Sequence, residues 1–135
     1  MLSDDQFFRI AGIVAESGTC SRLQVGALVV RDNRIISVGY NGAAAGLPHC
    51  QHDDDTPCRR AVHAEVNALV YAARAGVPTL GATVFSTHAP CEVCAGTMIN
   101  AGISAVKYQH HYRDMSGVKR LMEAGVAVSP RLVIV

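Results

Sequence analysis

Two short stretches constrain this chain more than anything else in it: "HAE" at residues 63–65 and "PCEVC" at residues 90–94. Imidazole and thiolate are the usual ligands of zinc, so His63, Cys91 and Cys94 form a suitable ligand set. A shared ion would require two stretches separated by 24 residues to meet in space. Each stretch also reads as a helix start. Pro90 suits the first turn of a helix. Cys91 and Cys94, three apart, lie on one helix face near its N-terminus, where the partial positive charge favours thiolate. His63 stands near the start of its own helix. Positions two apart do not share a face inside a helix, but at a helix start both side chains can project past the end. His63 can then bind metal while Glu65 stands beside it without being a ligand. Three protein ligands leave the fourth zinc position to water, the arrangement of a catalytic site. A carboxylate beside that water can shuttle its proton as general base and then acid.

Each half of the pattern alone is weak. A lone C-x-x-C also serves redox or structural sites, and a lone H-x-E arises by chance. In this order, each opening a predicted helix, they form the signature of the zinc deaminases.

The surrounding chain suits such a scaffold. Its 135 residues suffice for one domain over residues 1–135 with a real core. A net charge of +1 supplies no basic stripe, which argues against a nucleic-acid partner. No apolar run is long enough to span a membrane. The acidic start "MLSDDQFF" differs from a secretory signal, so the expected location is the cytoplasm.

Apolar spacing predicts a helix over 3–17, stopped by Gly18. "QVGALVV" and "IISVGY", separated by "RDNR", predict a hairpin. Residues 41–60 read as irregular. A helix over about 62–75, a strand at "ATVFST", a helix from Pro90 to about 101, a strand at "ISAVKY", a helix over 116–124 and a strand at "VAV" follow. The alternation predicts a five-stranded mixed sheet with helices on both faces, an α/β class fold.

At these residues the chain resembles the cytidine deaminase-like superfamily, and within it the deoxycytidylate (dCMP) deaminases. The resemblance runs from about residue 20 to 128 and includes "CSRLQVGALVV", "GYNGAAAGLPHC", "HAEVNAL" and "THAPCEVCAGTMINAGI". The "GYNG…G…HC" stretch favours dCMP deaminase over tRNA adenosine, guanine or cytosine deaminases. The resemblance implies a three-layer α/β/α sandwich, a catalytic Zn2+ on His63, Cys91 and Cys94, and hydrolysis of dCMP to dUMP with Glu65 as proton shuttle. Attack falls on C4 of cytosine, and Glu65 protonates N3 and then the departing amine.

By the same resemblance the backbone N–H of Ala64 binds the base carbonyl, and Asn41 contacts the sugar, although Asn-Gly is also a plain turn signal. Arg22 is the first choice for the phosphate. His111 and Tyr112, in "HHYRD", sit where a loop can close over base or phosphate. Glu92 reads as an exposed helix residue. The resemblance also implies a homo-oligomer, dimer or hexamer. Activation by dCTP and inhibition by dTTP are not carried over, because the segment before "QVGA" is short.

Cys20, Cys50 and Cys58, with His49 and His52 nearby, offer ligands for a second, structural zinc that some members of the family carry. The fourth ligand is open between His49 and His52, and the alternative is three reduced thiols without metal. "DDD" at 53–55 reads as a solvated loop tip. Two other readings stay open: a deaminase of another base, nucleoside or nucleotide, and a non-enzymatic zinc-stabilised module. Glu65 argues against the latter, since a structural site needs no such carboxylate.

Overall fold

The computed structural model describes residues 1–20, 22–50 and 60–132. Asp32 and Asn33 both adopt positive φ, 53° and 59°. That is the two-residue turn whose twist matches a hairpin, and it joins β1 (Gly26–Arg31) to β2 (Arg34–Tyr40). Two strands of two residues follow, β3 (Gly42–Ala43) and β4 (Ala61–Val62), paired antiparallel with each other. The expectation of an irregular segment over 41–60 is corrected by β3. Residues this few carry no hydrophobic period for a sequence to display. The pairing also delays α2, which spans Ala64–Arg74 instead of beginning at 62.

The remaining elements are α1 (Asp4–Ala15), β5 (Thr83–His88), α3 (Glu92–Asn100), β6 (Ala105–His110), α4 (Ser116–Glu123) and β7 (Ala127–Pro130). Ser3 caps α1 through a reciprocal bond pair with Gln6, so that helix starts where its sequence signal lies. Pro90 does not open α3. Cys91 is the N-cap and Pro90 precedes it, while the consequence drawn from it holds: both thiols stand at the helix N-terminus.

The main sheet runs β2-β1-β5-β6-β7. β1 is antiparallel to both neighbours, and β5, β6 and β7 are mutually parallel. Gly26 to Val30 of β1 are all buried, as a strand covered on both faces should be. One face carries α1, whose Phe7, Phe8 and Ala11 pack on Leu28, Val30 and Phe85. The other carries the remaining helices, with Ala68 and Leu69 of α2, Cys94 and Met98 of α3 and Leu121 of α4 on Val29, Val84 and Val106. These are the three layers expected.

This topology gathers one edge of the sheet into a site. β2, β5 and β6 all point their C-terminal ends there, and antiparallel β1 begins there. A crevice at the carboxyl ends of parallel strands is where open α/β sheets bind ligands.

Candidate active site

The N-terminus of α2 is pinned to β2. Ser37 Oγ donates to the Ala68 carbonyl at 2.6 Å, and Asn67 Nδ2 to the Tyr40 carbonyl at 2.8 Å. Gly39 makes the close approach possible, since a Cβ there would lie 2.3 Å from the Ala64 oxygen. On the other side, Ala89 N–H donates to the His110 carbonyl at 2.8 Å and fixes the chain entering α3.

His63 and Cys91 are the N-caps of α2 and α3, both with extended backbone and neither making a side-chain cap bond. N-caps ordinarily use a short polar side chain to satisfy the first-turn N–H groups. Here both side chains turn toward each other. His63 Nδ1 lies 3.2 Å from Cys94 Sγ and 3.4 Å from Cys91 Sγ. All three ligand atoms fall within 4.8 Å of one another. Tetrahedral zinc, with bonds near 2.3 Å to sulfur and 2.0 Å to nitrogen, sets ligand atoms about 3.5 Å apart. The trio fits zinc in donor type and in spacing, and among the described residues no other group of three or more His, Cys, Asp and Glu does so.

The two thiols share a proton. The hydrogen bond from Cys94, with His63 adding to it, draws Cys91 down to about 4. Cys94 is pushed up by that same bond and by burial. Cys91 is therefore the thiol already ionised at neutral pH, the form a metal needs. Glu65 is buried, at 5% exposure. Burial raises its pKa above the usual carboxylate range, and its own backbone N–H and His63 offset this only in part. A carboxyl raised in this way suits proton transfer near neutral pH.

A cavity of about 550 Å³ opens beside these groups. Ala64, Glu65 and Asn41 line it, as do Arg22, His111 and Tyr112, so every candidate substrate residue reaches one space. Ala64 is the first residue of α2, where backbone N–H groups have no intrahelical partner. Asn41 has a second task that its sequence context did not reveal. Its Oδ1 accepts from Val25 N–H at 2.8 Å and its Nδ2 donates to the Leu23 carbonyl at 2.6 Å, which holds the cavity rim. Tyr112 packs beside Tyr108 and Val118, and the exposed His111 ring meets Tyr108 edge-on at 5.4 Å.

Sequence reasoning passed over His88 and Arg113, which also line the cavity. Both follow from topology, as the last residue of β5 and a residue just past β6. Glu92 is exposed and pairs with Arg120, as expected. Cys20 and Cys50 are buried and His49 is exposed, while Cys58 and His52 lie outside the described residues. Cys20 also lines the cavity.

Residues 1–110 match the family described as the cytidine and deoxycytidylate deaminase zinc-binding region. The chain belongs to that family. ComE operon protein 2 of Bacillus subtilis is 42% identical over 133 residues, covering 94% of this chain and 70% of that one. Deoxycytidylate deaminase of Saccharomyces cerevisiae is 33% identical over 150 residues, covering 98% of this chain, which spans about half of the yeast protein (48%). The crystal structure of dCMP deaminase from cyanophage S-TIM5, in complex with dCMP and dUMP, aligns with a TM-score of 0.89 at 32% identity. It covers 94% of this chain and 95% of that one.

Proposed function

We propose that this protein is a zinc-dependent hydrolase that converts dCMP and water to dUMP and ammonia. The observation that carries this reading is the match, over nearly the whole of both chains, to the S-TIM5 enzyme crystallised with that substrate and product. The cavity beside the metal ligands supports it, with cationic Arg22 and Arg113 at hand for a phosphate.

His63, Cys91 and Cys94 would hold the zinc, which when bound acts as a Lewis acid and lowers the pKa of water toward neutrality. Glu65 takes the proton released as water adds to C4, delivers it to N3, and carries the second proton to the departing amine. The Ala64 N–H donates to the base carbonyl. Asn41, already clamped to 23–25, keeps one amide proton for the sugar. Arg22 holds the phosphate, and His111 and Tyr112 close over the base or the phosphate.

Cys20, Cys50, Cys58 and either His49 or His52 hold a second, structural zinc. Several copies assemble into a homo-oligomer, supported by the exposed apolar Val70, Tyr71 and Val93 on the two helices that carry the site. The chain folds as one domain and works in the cytoplasm, where thiol ligands stay reduced. Among the described residues no helix is long and apolar enough to cross a membrane.

The test is ammonia release from dCMP, dCTP, deoxycytidine, cytosine and guanine by zinc-loaded protein. dCMP should be turned over with the highest kcat/KM. A clear preference for any other member of the panel would refute the assignment.

A further inference from the structure

His88 lines the cavity, yet the reaction above gives it no part. Its Nδ1 lies 2.9 Å from the Thr87 hydroxyl oxygen. That oxygen already accepts from the Gly26 backbone N–H at 3.1 Å. Thr87 is buried, at 5% exposure, and its hydroxyl has one proton to donate. A proton on Nδ1 would make both neighbours donors to the same oxygen. The threonine proton would then be buried without an acceptor among the described residues, which costs a desolvation penalty. One arrangement satisfies all three groups: Gly26 N–H donates to Thr87 Oγ1, and Thr87 O–H donates to His88 Nδ1. The ring proton is then on Nε2.

Burial, and secondly His110, hold the His88 pKa below the ordinary imidazole range, so the ring is neutral at pH 7 and keeps that tautomer. Among the described residues nothing accepts from Nε2.

We propose that His88 is a specificity-determining residue whose Nε2–H donates to the 5′-phosphate of the bound nucleotide, with Thr87 as the positioning residue that sets the tautomer. The proposal rests on the nucleotide-deaminase reading. Two features favour phosphate over base or sugar. His88 pairs in register with His110, so it abuts the segment that carries His111 and Arg113. Finally, Arg22 and Arg113, the cavity's permanent cations, line the same space.

The test compares binding of dUMP and deoxyuridine to the zinc-loaded full chain by calorimetry. H88F should weaken dUMP by about 10- to 100-fold, the range for a hydrogen bond to a charged group, and leave deoxyuridine within about threefold. H88Q, which presents an N–H at similar reach, should recover most of the loss. T87V should weaken dUMP while T87S matches wild type. For dCMP turnover, H88F should raise KM with little change in kcat. Nitrogen-detected NMR should show the His88 proton on Nε2. Should H88F fail to fold, H88M carries the same expectation.

Equal loss of dUMP and deoxyuridine, unchanged dUMP binding, an Nδ1-protonated ring, or a wild type that does not prefer dUMP to deoxyuridine would each overturn the proposal. Wild type that binds dUMP through His88 but releases no ammonia from dCMP overturns the deaminase reading alone. An active enzyme whose H88F variant ignores the phosphate overturns this proposal alone.

Discussion

Gly117, in the first turn of α4, is the place where one methyl group should disturb the metal centre from outside. A Cβ built there would lie 2.2 Å from the Pro90 carbonyl oxygen and 2.6 Å from both the carbonyl carbon and oxygen of Cys91. Ordinary contact begins at 3.4 Å, so the closest pair must separate by 3.4 − 2.2 = 1.2 Å. All three atoms are backbone, and no rotamer change can relieve the clash. Either α4 retreats, loosening Val118 and Leu121 in the core, or the Pro90–Cys91 segment moves and takes a zinc ligand with it. Overpacking of this kind costs about 1–3 kcal/mol, which for a domain of this size lowers Tm by roughly 3–5 °C per kcal/mol. Displacing the support of a metal ligand costs about 10- to 100-fold in metal affinity. The assay is thermal melting of G117A together with zinc competition against a chromophoric chelator. The control is G96A in α3, where a Cβ meets nothing within 4 Å; alanine in a helix interior should there be neutral or stabilising by up to about 1 kcal/mol. A G117A protein that melts with wild type and binds zinc as tightly would refute the claim that α4 braces Cys91.

Glu65→Gln keeps the buried volume and removes the proposed shuttle; zinc content should be unchanged while kcat falls about 10²- to 10⁴-fold, read by metal analysis and ammonia release. Asn41→Ala strands the Val25 N–H and the Leu23 carbonyl, so stability should drop by about 2–4 kcal/mol in denaturant unfolding, with KM for dCMP rising as the rim loosens. Metal analysis of fully loaded protein should find two zincs per chain, and C50S should release one while His63, Cys91 and Cys94 keep the other; one zinc in the loaded wild type removes the second centre. His88 is neutral in the fold with a pKa below 6.5, whereas the unfolded chain titrates near that value. The unfolded state therefore binds more protons between the two values, so stability is full above pH 6.5 and declines as pH falls toward the folded pKa. H88F should flatten that acid-side decline in melts collected across pH.

Much of the candidate site was legible in the sequence because its parts are local. His63, Glu65, Cys91 and Cys94 sit within two short motifs at helix starts, and helix starts carry readable punctuation. The main strands and helices were legible for a similar reason, since all but the four-residue β7 run for six or more residues. The β3–β4 pair escaped because two-residue strands have no period. His88 and Arg113 escaped because what places them is sheet order: they enter the cavity as the last residue of β5 and a residue just past β6, and only the parallel β5–β6 pairing puts those ends together. The sequence clue available was position, since His88 closes the strand just ahead of "APC". The clamp made by Asn41 spans 16 and 18 residues to its partners, and a Gly next door made a turn the simpler reading.

The separation between helix-borne ligands and strand-end residues has a consequence for how such a protein can change. The reactive half is carried by two helix starts on one layer, held by backbone-level fits at Gly39 and Gly117 that tolerate little alteration. The proposed recognising half comes mostly from strand ends and the loops beside them: Arg22 ahead of β1, Asn41 after β2, His88 at the end of β5, and His111 and Tyr112 between β6 and α4. On the proposed reading, variation at Arg22, His88, His111 and Tyr112 would change which substrate is held while leaving His63, Glu65, Cys91 and Cys94 in place.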